Sequence, residues 1–367
     1  MRTTPPFRAD HVGSLLRPAA LLKAREDHAA GRIPADALRR IEDDAITQVV
    51  RMQRDLGLQG VTDGEFRRHD WLMDFKLALG GVEKVQAETV KVAFKSETGG
   101  IDWTFVPYKI ASRLHHKGTV FGKDFAFLKS VAGSATPKLT MPSPSMMHYP
   151  GGRGIDVAAY PDMEQFFSDL ADVYIAEIAA LHALGCTYLQ LDDTSLAMLN
   201  DPARRGAIGQ GAETDHLRYI KLINQVIAGK PAGMTICTHL CRGNFRSAWL
   251  AEGSYEHVAE AMFSELNVDG FFLEYDDERS GGFAPLRFVP RGRMVVLGLV
   301  TTKKAELESK TELKRRIDEA AKHVPLEQLC LSPQCGFAST SEGNLLTVED
   351  EMAKLRLVVE VAREVWG

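Results

Sequence analysis

One pattern restricts the fold more than any other: a short apolar run followed by a longer stretch of helical periodicity, repeated along the chain. Eight runs carry it, at 7–12, 59–65, 138–141, 186–193, 233–237, 270–274, 294–298 and 329–332. Amphipathic stretches lie between or after them, at 35–56, 71–79, 162–184, 215–228, 255–266, 311–323 and 348–365. In 35–56, Leu38, Ile41, Ala45 and Val49 share one side, and Gly57 is a natural stop. Runs apolar throughout suit strands buried on both faces, and parallel strands need crossovers long enough for a helix. Eight strand–helix units therefore predict an α/β chain folded as a single TIM-type (β/α)8 barrel. A doubly wound sheet is the alternative, and the count of eight favours closure.

The range 82–120 breaks this rhythm. Residues 90–94 and 103–107 read as β, with Gly99-Gly100 between them. The expectation is a β-rich insertion after the second unit, lying over the barrel mouth, within one domain spanning 1–367. No short internal repeat or low-complexity tract interrupts the chain.

A length of 367 residues fits two medium domains or one large barrel. A net charge of -5 gives no general attraction to nucleic acid or to an anionic membrane. No unbroken apolar run approaches a membrane span, and the N-terminus lacks a signal-peptide core, so a cytoplasmic location is expected. Five cysteines in so long a chain do not form a disulfide framework; an odd count points to free thiols or metal ligands.

In a barrel of this type the active site lies where strands meet the following helices. That rule brings Gly13-Ser14, Asp63/Glu65, Asp192/Asp193, His239/Cys241, Glu274 and Cys335 to one mouth. His239 and Cys241 are two residues apart at a strand end and so project to one side. Imidazole and thiolate are good ligands for Zn2+. Alone, the pair is a weak signal and reads more readily as a buried polar histidine beside a cysteine acting as a small hydrophobe. Glu274, ending the sixth run, and Cys335, just past the eighth, complete a candidate set of four metal ligands. Cys186, Cys237 and Cys330 are assigned to packing. Other residues keep two readings. Asp192-Asp193 suits ligand binding or a helix cap, and Glu65 suits ligand binding or pairing with Arg67 or Arg68. His11 suits the core or the mouth. The run 276–279 suits a solvated surface or contacts around Glu274. Arg204-Arg205 reads as exposed loop.

The stretches His11-Val12-Gly13-Ser14, Asp63-Gly64-Glu65-Phe66, Gln190-Leu191-Asp192-Asp193, His239-Leu240-Cys241, Phe272-Leu273-Glu274-Tyr275-Asp276 and Pro333-Gln334-Cys335-Gly336 together carry a resemblance. The chain resembles cobalamin-independent methionine synthases, specifically their zinc-bearing C-terminal barrel and the short single-barrel bacterial homologues. The resemblance implies zinc held by His239, Cys241, Glu274 and Cys335, with the sulfur of homocysteine joining it. It implies an ammonium held by Glu65 and Asp192 and a carboxylate held at the Gly13-Ser14 turn. Homocysteine is then the methyl acceptor and methionine the product. The donor is a methylfolate, a methylated corrinoid or a small methylated metabolite, and a homo-oligomer is possible.

Three features depart from the full-length folate enzymes. There is one barrel here and not two. The loop after the third strand, 142–149, has no tryptophan to pack on a pterin. The segment 298–303 has no histidine for proton transfer, and Lys303 is the candidate for that catalytic position. Methyltetrahydrofolate is accordingly expected to be a poor donor. Two other functions fit the scaffold: alkylation of another thiol, as in coenzyme M-type epoxide opening, and non-catalytic zinc or thiol binding. A sulfonate such as coenzyme M carries no ammonium, so Glu65 and Asp192 would be wrongly charged for it.

Overall fold

A computed structural model describes residues 2–85, 89–97, 99–209 and 211–367. The chain begins with α1 (Ala19–Ala29), α2 (Ala35–Leu56), β1 (Gly60–Val61) and α3 (Met73–Ala78). Four strands follow: β2 (Gly80–Lys84), β3 (Val90–Ser96), β4 (Gly99–Phe105) and β5 (Tyr108–His115). Next come α4 (Gly122–Val131), β6 (Thr136–Pro142), α5 (Met163–Ala183), β7 (Tyr188–Asp193), α6 (Ser195–Met198), α7 (Pro202–Ile208) and α8 (Asp215–Ile227). The chain ends with β8 (Thr235–Leu240), α9 (Glu256–Glu265), β9 (Gly270–Glu274), β10 (Met294–Val300), α10 (Lys310–Ala320), β11 (Leu329–Pro333) and α11 (Val348–Trp366).

β1 and β6 to β11 form a seven-stranded sheet in sequence order, every neighbouring pair parallel. This curled α/β sheet is consistent with a TIM-type barrel. The run at 7–12 is not a strand. It makes one parallel bridge, Ala9 to Leu331, with Asp10 N donating to Leu331 O at 3.0 Å and Leu331 N to Arg8 O at 2.8 Å. The reason is local: the Asp10 carboxylate accepts from Phe7 N at 3.0 Å and His11 N at 2.8 Å, taking donors that a longer ladder would use.

Alternation along the strands separates two apolar sets. Leu139, Leu189, Ile236, Phe271, Leu273 and Leu297 pack in the large cluster with residues of the helices. Tyr188, Cys237, Phe272, Val296 and Cys330 pack with Phe7 and Val12 in an inner cluster. Cys186, Cys237 and Cys330 are buried free thiols within these clusters, as packing cysteines should be. Beside the inner cluster Lys138 and Asp10 form a fully buried ion pair at 3.1 Å, and Tyr188 donates to Asp10 at 2.8 Å. His11 belongs to this interior and not to the mouth: its neighbours include Lys138, Gly60 and Gln53. Burial, reinforced by the Lys138 charge, pushes its pKa down to about 4.

Helix ends follow their sequence signals. α2 stops at Gly57 in the left-handed region, α5 is capped by Asp162, and Thr347 with Asp350 forms a capping box on α11. Between α3 and α4, β2 pairs with β5 and β3 with β4, both antiparallel. The β3–β4 ladder docks on the loop that follows β8. Lys95 and Trp249 exchange backbone hydrogen bonds at 2.7 and 2.9 Å, and the rings of Phe94 and Trp103 pack on Phe245. Among the described residues no helix is long and apolar enough to cross a membrane.

Candidate metal and substrate site

His239 lies near the end of β8 and Cys241 one residue beyond it; Glu274 is the last residue of β9; Cys335 follows β11. Their ligand atoms all lie within 4.8 Å of one another, and all four residues are buried. The two sulfurs are 3.4 Å apart. Two sulfurs sharing a tetrahedral zinc, each about 2.3 Å from it, would lie about 3.8 Å apart, so the spacing is nearly that of a bound pair.

The surrounding backbone holds this cluster in place. Cys241 N donates to Asp193 O at 2.9 Å, continuing the ladder past the end of β8. Arg242, fully buried, donates through its guanidinium to Glu274 O at 2.9 Å, Tyr255 Oη at 2.9 Å and Gly253 O at 2.8 Å. Its backbone N–H donates to Glu274 Oε1 at 3.2 Å. Glu274 is thus fixed at both its main chain and its carboxylate.

The electrostatics fit a cation. Burial, then the Cys335 charge, pushes the Glu274 pKa up to about 7. The hydrogen bond between the sulfurs holds Cys335 well below the usual thiol range and Cys241 well above it. Burial opposes charge on His239, but Cys335, Asp192 and Glu274 around it prevail and raise its pKa. Negative charge on Cys335 and negative charge on Glu274 repel each other within this buried cluster. A divalent cation would relieve that repulsion and displace the shared protons. Nitrogen, two sulfurs and a carboxylate oxygen, set for four-coordination, suit Zn2+ better than Mg2+ or Ca2+.

Three of the candidate substrate residues, Ser14, Glu65 and Asp192, line one cavity with His239, Cys241 and Cys335, and Gly13 adjoins Ser14. Asp192 stands opposite His239 in the β7–β8 register and accepts from Gln190 at 2.7 Å. Burial pushes its pKa up to about 7, against the opposing pull of His239. Glu65 has a positive φ of 60°, a strained conformation held by Asp63, which accepts from Glu65 N at 2.9 Å. Its Oε1 accepts from Thr140 at 2.6 Å and pairs with Arg68 at 3.4 Å, while its buried Oε2 has no hydrogen-bond partner among the described residues. Gly13 fits closely here: a Cβ would lie 2.6 Å from Thr140 Cγ2 and 3.6 Å from Glu65 Oε1. Ser14 packs on Gly336, where a Cβ would meet Ser14 Oγ at 2.0 Å.

The neighbouring acids divide by role. Asp193 is spent on structure, accepting from Ser195, Leu196 N and Ser145. Arg67 pairs with Asp43 and Glu42 and leaves Glu65 to Arg68. Asp276 and Asp277 pair with Arg279. Arg204 and Arg205 bond the carbonyls of Leu250 and Leu199 and are not a free loop. Lys303 is buried and donates to Asn244 Oδ1 at 3.2 Å. Its charge acts on Glu274 and Cys335.

The cavity measures about 900 Å³. Ser14, Glu65, Asp192, His239, Cys241 and Cys335 form one set of lining residues. The other set is aromatic: Trp71, Phe94, Trp103, Phe105, Tyr108 and Tyr149. The sequence reading missed this set by searching only 142–149 for a tryptophan. The signal was present, since Trp103 and Phe105 alternate on one face of a β run and their rings stack at 4.7 Å. Aromatic side chains that could pack on a flat ligand are thus present on the cavity wall, outside 142–149 as well as within it.

Residues 7–364 match the family described as cobalamin-independent synthase, catalytic domain. The chain belongs to the cobalamin-independent methionine synthase family. It is 48% identical to the uncharacterized protein YxjH of Bacillus subtilis, over 98% of this chain and 95% of that one. A Listeria monocytogenes structure, a candidate vitamin-B12-independent methionine synthase, is 41% identical with a TM-score of 0.80, covering 99% of both chains. The methionine synthase of Pyrococcus abyssi is 23% identical over 89% of this chain and 85% of its own.

The strand ends that present the cluster in this family member are tightly packed. Gly298 pairs with Glu274, and a Cβ there would lie 2.6 Å from Gln334 Cα and 2.7 Å from Leu273 O, both backbone atoms. Gly298→Ala is expected to cost at least about 1 kcal/mol of stability, because neither atom can yield without moving a strand. A urea midpoint equal to that of the wild type would show that β10 has slack there.

Proposed function

We propose that this protein is a zinc-dependent methyltransferase that moves a methyl group to the thiol of homocysteine, giving methionine. The observation that carries the reading is the convergence of four ligand atoms within 4.8 Å, with His239, Cys241 and Cys335 lining a cavity also lined by the buried carboxylates Glu65 and Asp192. The reading takes 1–367 as one (β/α)8 barrel with 82–120 inserted after the second unit, over the mouth. His239, Cys241, Glu274 and Cys335 hold the metal. Zinc, when bound, lowers the pKa of a coordinated thiol and leaves sulfur nucleophilic at neutral pH.

The remaining work falls to the chain. Glu65 and Asp192 bind the substrate ammonium, for which the unpartnered Oε2 of Glu65 is a ready acceptor. The Gly13-Ser14 turn receives the carboxylate. Together they fix the amino acid so that its side chain points at the cluster, converting a bimolecular encounter into a positioned one. Arg242 and Tyr255 keep Glu274 in place through its backbone and carboxylate. Lys303 is the candidate proton donor on the cluster side, and its charge adds to the hydrogen bonds from Cys241 and His239 that lower the Cys335 pKa. The two carboxylates favour an amino-acid thiol over a sulfonate thiol.

The test is purified zinc-loaded protein with homocysteine and a panel of methyl donors: mono- and triglutamate methyltetrahydrofolate, methylcobalamin and a methyl sulfonium. Methionine formation with any of them is the expected result. Stoichiometric binding of zinc and homocysteine without turnover on any donor would favour the non-catalytic reading.

A further inference from the structure

The segment that follows the Gly13-Ser14 turn runs between two arms of the site. Thr62 Oγ1 donates to Gly13 O at 2.6 Å and Leu15 N to Gly64 O at 3.1 Å, on the arm that carries Glu65. Phe337 N donates to Ser14 O at 2.9 Å, on the arm that carries Cys335. Arg17 closes this segment. Its guanidinium is buried and forks between the arms. Nη2 donates to Glu65 O and Arg68 O, both at 3.0 Å, and Nη1 to Ala338 O at 3.1 Å and Thr340 O at 3.0 Å. All four acceptors are main-chain carbonyls. Burial pushes the Arg17 pKa down to about 10, against the pull of the Glu65 charge, so the side chain stays charged at neutral pH.

Glu65 needs such a partner. With a φ of 60° it lies in the left-handed region, where a residue with a Cβ persists only if its surroundings hold it there. The peptide group before it is held by Asp63, which accepts from Glu65 N at 2.9 Å. The peptide group after it is held through Glu65 O, which accepts from Arg17 and from Arg68 N, both at 3.0 Å. Fixing both planar groups fixes φ and ψ, and with them the direction of the Cα–Cβ bond that carries the carboxylate. The arm bearing Cys335 has other fastenings beside the metal ligand: Asn244 Nδ2 donates to Gly336 O at 2.8 Å, and Phe337 N holds Ser14 O. Losing the Arg17 fork therefore falls on Glu65 and not on the metal cluster.

We propose that Arg17 is a positioning residue for amino-acid recognition: its guanidinium braces the Glu65 backbone against the 338–340 segment and so aims the Glu65 carboxylate at the substrate ammonium. This rests on the reading above, in which Glu65 binds that ammonium. Arg17 does not line the cavity, so it acts on a ligand only through the arm it holds. The planar fork matters here and not charge alone. Lysine brings a single nitrogen on a flexible stem and cannot span carbonyls on two arms.

The test uses norleucine, which carries the ammonium and carboxylate of an amino acid but no sulfur. It is titrated into the wild type, Arg17→Lys, Glu65→Gln and the double variant, and zinc affinity is measured in each by competition with a chelator. Arg17→Lys is expected to weaken norleucine binding about tenfold and to leave zinc affinity unchanged. In the Glu65→Gln background the same substitution should change norleucine affinity by less than about twofold, because the group that Arg17 aims has already lost its charge. A merely structural arginine would give additive losses in the double variant, or a loss of zinc affinity as large as the loss of norleucine. Either result overturns the proposal, as does wild-type norleucine affinity in Arg17→Lys. Arg17→Gln, neutral and with two N–H donors, is the second variant if Arg17→Lys does not fold. If Glu65→Gln binds norleucine as tightly as the wild type, the reading of Glu65 itself falls and this proposal with it. A weakened Glu65→Gln beside an unaffected Arg17→Lys overturns the proposal alone.

Discussion

Cys335→Ser is expected to lose its zinc. A serine hydroxyl does not ionise at neutral pH and is a poor replacement for a thiolate. Removing a residue that merely supports a metal ligand costs about 10- to 100-fold in affinity, so removing a ligand should exceed about 100-fold. Three donors would remain, and Cys241 would lose its partner at 3.4 Å. The contrast is Cys330→Ser. Cys330 lies on β11, the strand that Cys335 follows, packs in the inner cluster and is absent from the four-residue group. That variant should lose some stability and keep its metal. Competition with a chelator measures both. Wild-type zinc affinity in Cys335→Ser would remove the metal assignment, whatever activity the variant shows.

The sequence made much of this site legible because strand ends are the most readable part of such a fold. The runs 270–274 and 329–332 match β9 and β11 to within one residue, so Glu274 and Cys335 fall where the register requires. His239 and Cys241 were a weak signal by spacing alone and became a candidate pair only with Glu274 and Cys335; the ladder bond from Cys241 N to Asp193 O keeps the alternation running beyond the strand. Long-range competition was not legible. Residues 7–12 have the composition of a strand, yet the Asp10 side chain satisfies two of the segment's own N–H groups and leaves one bridge. His11 was placed by its neighbours in sequence, while Lys138, Gln53 and Gly60, distant in sequence, decide where it lies. The aromatic wall was hidden for a similar reason. Trp103 lies outside the strand–helix repeat, on a ladder that docks to the loop after β8, and Trp71 is placed by a backbone bond to Ser339, distant in sequence.

Glu65→Gln and Asp192→Asn are expected to weaken homocysteine binding while zinc content stays the same. Both changes keep size and hydrogen bonding largely intact. Glutamine can still accept from Thr140, and asparagine can still accept from Gln190, so the folded state changes little. What is lost is the charge facing an ammonium. A hydrogen bond to a charged group contributes about 1.5–3 kcal/mol, which corresponds to roughly 10- to 100-fold in affinity. Glu65→Gln should show the larger loss, because Oε2 has no hydrogen-bond partner among the described residues and can accept from the ligand. Norleucine, which has the amino-acid head and no sulfur, separates the two halves of the site. Its binding should fall by the same factor as that of homocysteine if the acids hold the ammonium, and should be indifferent to removal of zinc. A sulfonate thiol such as coenzyme M supplies the opposite sign, since neutralising either acid relieves repulsion and should improve its binding. Unchanged affinity for homocysteine and norleucine in both variants, with tighter binding of the sulfonate thiol in the wild type, would exclude an amino-acid substrate and leave thiol alkylation of another class as the function of the cluster.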